Sequence, residues 1–306
     1  MRRHERYLGL VAARIISDYI VQTLAKGETL MGDLSNKTII ITGASRGIGR
    51  AMAVRFARDG ANIVIAAKSD RPHPKLKGTI HTVTEEVLSA GGKALPFKLD
   101  VRSEDQVANM MQAAVDEFGG IDALVNNAGA ISLTPVEKTP VKRYDLMQSI
   151  NSRAVFICAH SALPFLKASA NPHILSLSPP LNLNIKWLKN HAPYTLSKYG
   201  MTLLSLGMAA EFESYGIAVN CLWPRTAIAT AAIEFVVGNR DLFQNCRTTE
   251  IMADAAYEIL TTENRQLSGQ SLIDEQLLLT RGYTDLERYA VNPDNADKLL
   301  PDFFLD

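Results

Sequence analysis

The chain has 306 residues, 47% of them hydrophobic, and its 32 Lys and Arg balance its 32 Asp and Glu. Zero formal charge gives no electrostatic basis for binding nucleic acid or an anionic membrane, and no apolar run is long enough to span a bilayer. The three cysteines, Cys158, Cys221 and Cys246, are scattered and suit a reducing compartment better than a disulfide framework; the six histidines show no metal-ligand spacing.

Residues 1–33 stand apart as an N-terminal amphipathic helical extension. Leu8, Val11, Ala12, Ile15, Ile16, Tyr19 and Ile20 recur at helical spacing, and Arg2, Arg3, Arg6 and Arg14 make the segment basic. Arg14 and Asp18 interrupt any secretory apolar core. Four readings stand: a helix packed on the core or on a neighbouring subunit, a start site at Met31 instead of Met1, a mitochondrial presequence, or a membrane-surface helix. The expected location is cytoplasmic, or mitochondrial if the extension is a presequence.

From residue 34 to 306 the pattern reads as a single domain. The β-branched run "KTIIIT" (37–42) predicts a strand, followed by a glycine-rich turn and the helical "IGRAMAVRFARDG". Strand "ANIVIAA" (61–67), helix 79–91 and strand "KALPFKLD" (93–100) come next. Ser103 opens a helix to Phe118 with acidic residues in its first turn. Strand "IDALVNN" (121–127) leads to helical stretches near 140–150 and 151–168, then strand "PHILSLS" (172–178). A long helix spans about 193–214, then strand "GIAVNCLW" (216–223), a helix near 250–261 and strand "SGQSLID" (268–274). Alternating strands and helices predict an α/β fold: a single Rossmann-type, doubly wound parallel sheet flanked by helices, its strands buried on both faces.

The turn "TGASRGIG" (42–49) places Gly43, Gly47 and Gly49 between a strand and a helix. Glycine there lets backbone approach a pyrophosphate, and the helix points its first amides at that anion. The end of the second strand, where an acidic residue would hold the ribose of NAD, reads "IAAKS". Lys68 stands at that place and Arg46 lies in the turn, a pair of cations suited to a 2′-phosphate. NADP is therefore the expected cofactor, with NAD as the alternative.

These features, with "LDV" (99–101), "NNAG" (126–129), Asn151 in "SINSRAVF", Ser178 and "YTLSK" (194–198), resemble the short-chain dehydrogenase/reductase family of the Tyr-x-x-x-Lys type. The resemblance runs from about residue 37 to 275, and subgroup-like segments continue to "PDFFLD" at the end. It implies that the turn residues Gly43, Ser45, Arg46, Gly47, Ile48 and Gly49 line the cofactor with Lys68. It also implies that Asp100 and Val101 meet the adenine and that the backbone of Asn127, Ala128 and Gly129 lies near the cofactor. Asn126 would support the sheet centre, Thr226 would sit by the phosphates and Ile228 by the carboxamide. By the same resemblance Tyr194 is the acid/base, Lys198 binds the nicotinamide ribose, Asn151 holds a relay water and Ser178 meets the substrate oxygen. Relatives of this kind are commonly homodimers or homotetramers.

Tyr194 and Lys198, four residues apart, share one helical face. An ammonium close to a phenol lowers its pKa from about 10 toward the working range, which makes proton transfer practical. Two features depart from the family pattern. Pro179 stands where many relatives carry the working serine, which leaves Ser178 as either that hydroxyl shifted by one or a strand-end residue, with Ser176 as the fallback. Arg225 replaces a glycine after the sixth strand, where it could meet an anion or face solvent. Residues 227–247 read as a lid over an apolar pocket, which favours a lipophilic carbonyl or alcohol as substrate. Two functions follow: an NADP-dependent oxidoreductase, or an NADP(H)-binding regulator with little turnover.

Overall fold

The computed structural model describes residues 33–74, 76–231, 233, 240–263 and 266–305. The predicted helix within 1–33 and the centre of the predicted lid lie outside the described residues. Seven strands form one parallel sheet: β1 (Thr38–Thr42), β2 (Asn62–Ala67), β3 (Lys93–Lys98), β4 (Ala123–Asn126), β5 (His173–Ser176), β6 (Ala218–Trp223) and β7 (Ser271–Ile273). Their order is β3-β2-β1-β4-β5-β6-β7. The chain winds outward from β1 to β3, then returns to lay β4 beside β1, so the crevice between the C-terminal ends of β1 and β4 is the switch point where a doubly wound sheet takes its ligand.

Period-two alternation sorts the strand side chains between two cores. Ile39 and Ile41 of β1, with Ile63 and Ile65 of β2, face Met52, Phe56, Ile251 and Leu278. Ile40 and Val64 face the opposite way, against Val107, Met110, Val155 and Met201. The first face is covered by α1 (Gly47–Ala57), α2 (Ile80–Ser89), α7 (Glu250–Thr261) and α8 (Asp274–Thr280). The second is covered by α3 (Glu104–Phe118), α5 (Ser152–Leu166) and α6 (Ala192–Glu211); α4 (Val141–Ile150) precedes α5. Leu34–Asp306 forms one unit by its internal contacts.

Caps set the helix boundaries. The Thr79 side chain accepts from the Thr82 amide, and Thr82 returns the bond to the Thr79 amide, so α2 begins one residue later than the pattern predicts. At α3 the Ser103 side chain accepts from the Gln106 amide, and Gly119 ends the helix in the left-handed conformation. The expectation that every strand is buried on both faces fails at β3, whose residues are only half-buried. As an edge strand it pairs with β2 alone, which is also why it tolerates Pro96. The predicted fifth strand ends early, at Ser176: the Ser178 amide turns back onto the Ser176 carbonyl, and two prolines follow.

Candidate active site

The glycine-rich turn is built by close approach. Gly43 and Gly47 have φ of 69° and 56°, a region that disfavours side chains. A Cβ on Gly49 would lie 2.5 Å from Asn127 Nδ2 and 2.8 Å from the Gly43 oxygen. Asn127 Nδ2 donates to the Thr42 oxygen at 2.7 Å and the Gly43 oxygen at 3.2 Å, while the Asn127 and Ala128 amides donate to Thr42 Oγ1 at 3.0 Å each. The Asn127 side chain thus locks the end of β4 to the turn, and only its backbone is left to face a ligand. No side chain caps the first amides of α1, and its first turn carries no acid. Those donors and the positive end of the helix dipole are available to an anion. Thr230 closes over the turn, its Cγ2 3.5 Å from where a Gly47 Cβ would stand. The Thr226 hydroxyl is buried with no hydrogen-bond partner among the described residues. A turn shaped for close backbone approach and an orphaned hydroxyl together fit a dinucleotide.

At the far end of the turn, the Arg46 guanidinium donates to Ser69 Oγ and the Gly78 oxygen, both at 2.9 Å, and to the Lys77 oxygen at 3.1 Å. Burial lowers its pKa. Lys68 Nζ lies 3.2 Å from Asp100 Oδ2 and Arg102 Nη2 2.6 Å from the same oxygen. The Arg102 guanidinium holds the Asp100 carboxyl well below the usual carboxylate range. Arg46, Ser69, Lys68 and Asp100 therefore gather at the ends of β2 and β3. Val101 is buried beside them, Ser45 is buried in the turn, and Ile48 packs on the first core.

At the other end of the crevice, Asn151 breaks the chain between α4 and α5 with φ and ψ both −84°. Its Oδ1 accepts from the Ala130 amide at 2.8 Å, and its Nδ2 donates to the Ala130 oxygen at 3.0 Å and Ser197 Oγ at 2.8 Å. Asn151 so anchors the segment after Gly129 to α6. Tyr194 and Lys198 are both buried on α6. Lys198 Nζ donates to the Leu177 oxygen at 2.6 Å and sits 5.0 Å over the Trp223 ring. Burial pushes this ammonium down to about 8. Burial also pushes the Tyr194 phenol well above its ordinary value, and Asp302 adds to the effect. In this structure desolvation and Asp302 set the direction for the phenol, and the Lys198 ammonium is engaged by Leu177 and Trp223.

Ser178 is fully buried; with Thr202 and Ser205 of α6 it surrounds the Cys221 thiol, which burial pushes up and these hydroxyls pull back. Ser176 Oγ accepts from Ser205 at 2.9 Å and lies 3.5 Å from Asn126 Nδ2. Ser176 is engaged where β5 and β6 pack under α6, the Ser178 hydroxyl is buried with no hydrogen-bond partner among the described residues, and the Pro179 oxygen is taken by Thr202 Oγ1 at 2.7 Å.

Residues 37–236 match the family model of the short chain dehydrogenases. The chain belongs to this family. It is 54% identical over 275 residues to hydroxysteroid dehydrogenase-like protein 2 of Xenopus tropicalis, a match covering 90% of this chain and 65% of that relative's length. Among solved structures, a dehydrogenase of Xanthomonas campestris described as putative is 55% identical, with a TM-score of 0.86 over 90% of this chain and 99% of that one. A short chain dehydrogenase of Mycobacterium thermoresistibile is 47% identical, with a TM-score of 0.84 over 90% and 96%. The chain thus spans from 52% to 65% of the length of curated relatives of this name. Members of the family are oxidoreductases that bind NAD or NADP.

In this short-chain dehydrogenase the loop after β6 is held by partners that sequence reasoning did not assign. The Arg225 amide donates to Asp274 Oδ1 at 2.8 Å, and the Arg225 oxygen accepts from the Asp302 amide at 3.1 Å. The Ala227 amide donates to the Leu300 oxygen at 2.8 Å, and Thr226 bridges Pro301. Ile228 is buried. Asp274 is fully buried and burial pushes its carboxyl up to about 6. Asp274 opens α8 directly after β7 with no motif around it; the one signal for Asp302 was the mixture of charge and aromatics in the tail.

Proposed function

We propose that the chain interconverts an alcohol and a carbonyl on a lipophilic small molecule with NADP as cofactor, Tyr194 giving or taking the proton. What carries this reading is the pairing of Tyr194 with Lys198 on the buried face of α6, at the C-terminal edge of a sheet whose switch point holds the glycine turn. The turn backbone from Gly43 to Gly49 would hold the pyrophosphate. Arg46, Ser69 and Lys68 would hold the 2′-phosphate, Asp100 and Val101 the adenine, and Lys198, Thr226 and Ile228 the nicotinamide end. When bound, the cofactor supplies or accepts the hydride.

Burial makes the Tyr194 phenol a weaker acid than it is in water. The Lys198 ammonium on the same face of α6 pulls the other way, toward the range in which the phenol can give its proton to a developing alkoxide. Lys198 is held by Leu177 and Trp223 within the same buried layer, so its charge is weakly screened. Asn151 fixes α6 through Ser197 and keeps the wall at Ala130 in register with it. The aromatic surroundings Trp187, Tyr199, Trp223 and Phe304 exclude water and favour an apolar substrate.

The test has two stages. NADPH and NADH binding is first measured by fluorescence; the expectation is tighter binding of NADPH. NADPH oxidation is then followed with a panel of aldehydes and ketones, with Tyr194→Phe beside the wild type. An active substrate on which Tyr194→Phe equals wild type removes the assigned role. A second reading, a nucleotide-binding regulator, is favoured by Pro179 at the usual serine position and by the bonds that Ser176 makes with Ser205 and Asn126. Binding without turnover across the panel would support it. Phe156, Leu196 and Leu203, exposed on α5 and α6, support assembly into a homodimer or homotetramer, which sedimentation would read.

A further inference from the structure

The C-terminal segment folds back onto the start of α6 from two supports. The loop after β6, which carries Thr226 and Ile228, is one. The Ala227 amide donates to the Leu300 oxygen at 2.8 Å, the Asp302 amide to the Arg225 oxygen at 3.1 Å, and Trp223 Nε1 to the Phe303 oxygen at 2.9 Å. The loop after β5 is the other. Asn182 Nδ2 donates to the Phe304 oxygen at 3.2 Å, and the Asn182 oxygen accepts from the Tyr199 hydroxyl of α6 at 2.6 Å. Between these supports Phe304 is held at φ 72°, in the left-handed region that a residue with a side chain seldom enters. Strain of this kind persists only where the surroundings over-determine it. Here the surroundings are rings: Phe304 is almost fully buried among Trp187, His191, Tyr194, Tyr199 and Trp223.

Tyr194 is the third residue of α6, in its first turn. An aromatic side chain on a helix has two open χ1 wells, which send its far end to different places, and its ring torsion is broad. The backbone alone therefore does not fix where the phenol hydroxyl stands; a packed neighbour does. Phe304 is such a neighbour, its ring stacked on Tyr194 at 6.2 Å and packed in turn on Tyr199 at 5.2 Å. We propose that Phe304 is a positioning residue: the tail sets its ring against Tyr194 and so holds the phenol where it can reach the substrate oxygen. The inference rests on the assignment of Tyr194 as acid/base. Proton transfer needs hydrogen-bond reach, and a displacement of about 1 Å can cost on the order of a hundredfold in rate. The tail is also bonded to the loop that carries Thr226 and Ile228. One segment thereby fixes the phenol and the nicotinamide side of the crevice relative to each other.

Phe304→Leu removes the flat surface and keeps an apolar side chain. On a carbonyl that the wild type reduces, its kcat should fall by about tenfold or more while NADPH affinity stays within about twofold. Phe56→Leu is the control for lost packing: Phe56 is equally buried, in the first core, and its variant should keep kcat near that of wild type. A second readout needs no turnover. In protein labelled with 3-fluorotyrosine, the fluorine line missing from Tyr194→Phe belongs to Tyr194. It should broaden or split in Phe304→Leu and stay single in Phe56→Leu. If Phe304→Leu does not fold, Asn182→Ala frees the Phe304 oxygen, leaves every ring in place and should move both readouts in the same direction. A kcat lowered no further than in Phe56→Leu, or a Tyr194 line that stays single, overturns the proposal. Tyr194→Phe separates the two failures. If it is inactive while Phe304→Leu matches wild type, only the role of Phe304 falls; if it is fully active, the assignment of the phenol falls first.

Discussion

The Phe304 ring lies over Tyr194 with centroids 6.2 Å apart and planes 27° from parallel. The third residue from the end of the chain is thereby in contact with the residue assigned as acid/base. Phe304 is 1% exposed and also meets Tyr199 and Trp223 at 5.2 and 5.8 Å. Its truncation would leave a cavity lined by these rings, since their own anchors do not move. Phe304→Ala should destabilise the protein by about 3–5 kcal/mol, the range for a buried phenylalanine. Urea unfolding would read this as a lower midpoint at an unchanged slope.

Gly49→Ala tests the turn. The added methyl would stand 2.5 Å from Asn127 Nδ2 and 2.8 Å from the Gly43 oxygen, in the middle of the bonds that join them. Relief requires the Asn127 amide to swing away, which frees two backbone oxygens and opens the turn. NADPH affinity should fall by at least about tenfold, while far-ultraviolet dichroism stays near that of wild type. Asn127→Ala should weaken binding in the same direction and cost about 1–3 kcal/mol of stability for the bonds left unmade.

The sheet and the turn were legible because they rest on local rules. "TIIIT" between two covered faces can only be a buried strand, and a glycine turn between strand and helix has few other uses. Thr79 and Ser103 gave the helix starts to within a residue. What the pattern did not reveal was long-range. Asn127 is one of four residues in a motif, and nothing in the spacing shows that its side chain bonds Thr42 and Gly43 some 84 positions earlier. Arg46 was read from its place in the turn, but its partners Lys77 and Gly78 lie beyond a Pro-rich stretch without periodicity, and nothing in the pattern pairs it with Ser69 just after the second strand. Ser178 was taken from the family resemblance, and neither that nor the register that offers Ser176 shows that the strand ends at Ser176 and that Ser178 meets Cys221. Asp302 and Phe304 came from a tail whose path depends on single bonds to Arg225, Trp223 and Asn182.

Cofactor preference is the next test. Arg46 presents a planar fork already aimed at Ser69 and Gly78, whereas Lys68 is largely exposed beside Asp100. Arg46→Ala should lower the NADPH-over-NADH affinity ratio by about tenfold or more, and Lys68→Ala by less, since an exposed ammonium gains little from a screened phosphate. Raising the salt concentration should erode NADPH binding faster than NADH binding. Equal losses for both cofactors in both variants would place these cations outside the ribose site and leave their bonds to Ser69 and Asp100 as loop structure.

The buried ammonium gives a prediction in pH. Lys198 has a folded pKa of about 8, depressed by burial from an ordinary value near 10.5. Between these values the unfolded chain binds more protons than the folded one, so this group makes stability rise with pH. Its contribution is fully present above the unfolded pKa and is lost as pH falls through about 8. Lys198→Met, apolar and of similar length, removes that dependence. It also leaves the Leu177 oxygen without its 2.6 Å donor, which costs about 1–3 kcal/mol at every pH. The stability difference between wild type and Lys198→Met should therefore grow in favour of wild type from pH 8 to pH 10, by up to about 3 kcal/mol. Urea denaturation at the two pH values reads it. A difference that stays constant would mean that Lys198 keeps an ordinary pKa, and that its charge is better solvated at the base of α6 than the contacts with Leu177 and Trp223 imply.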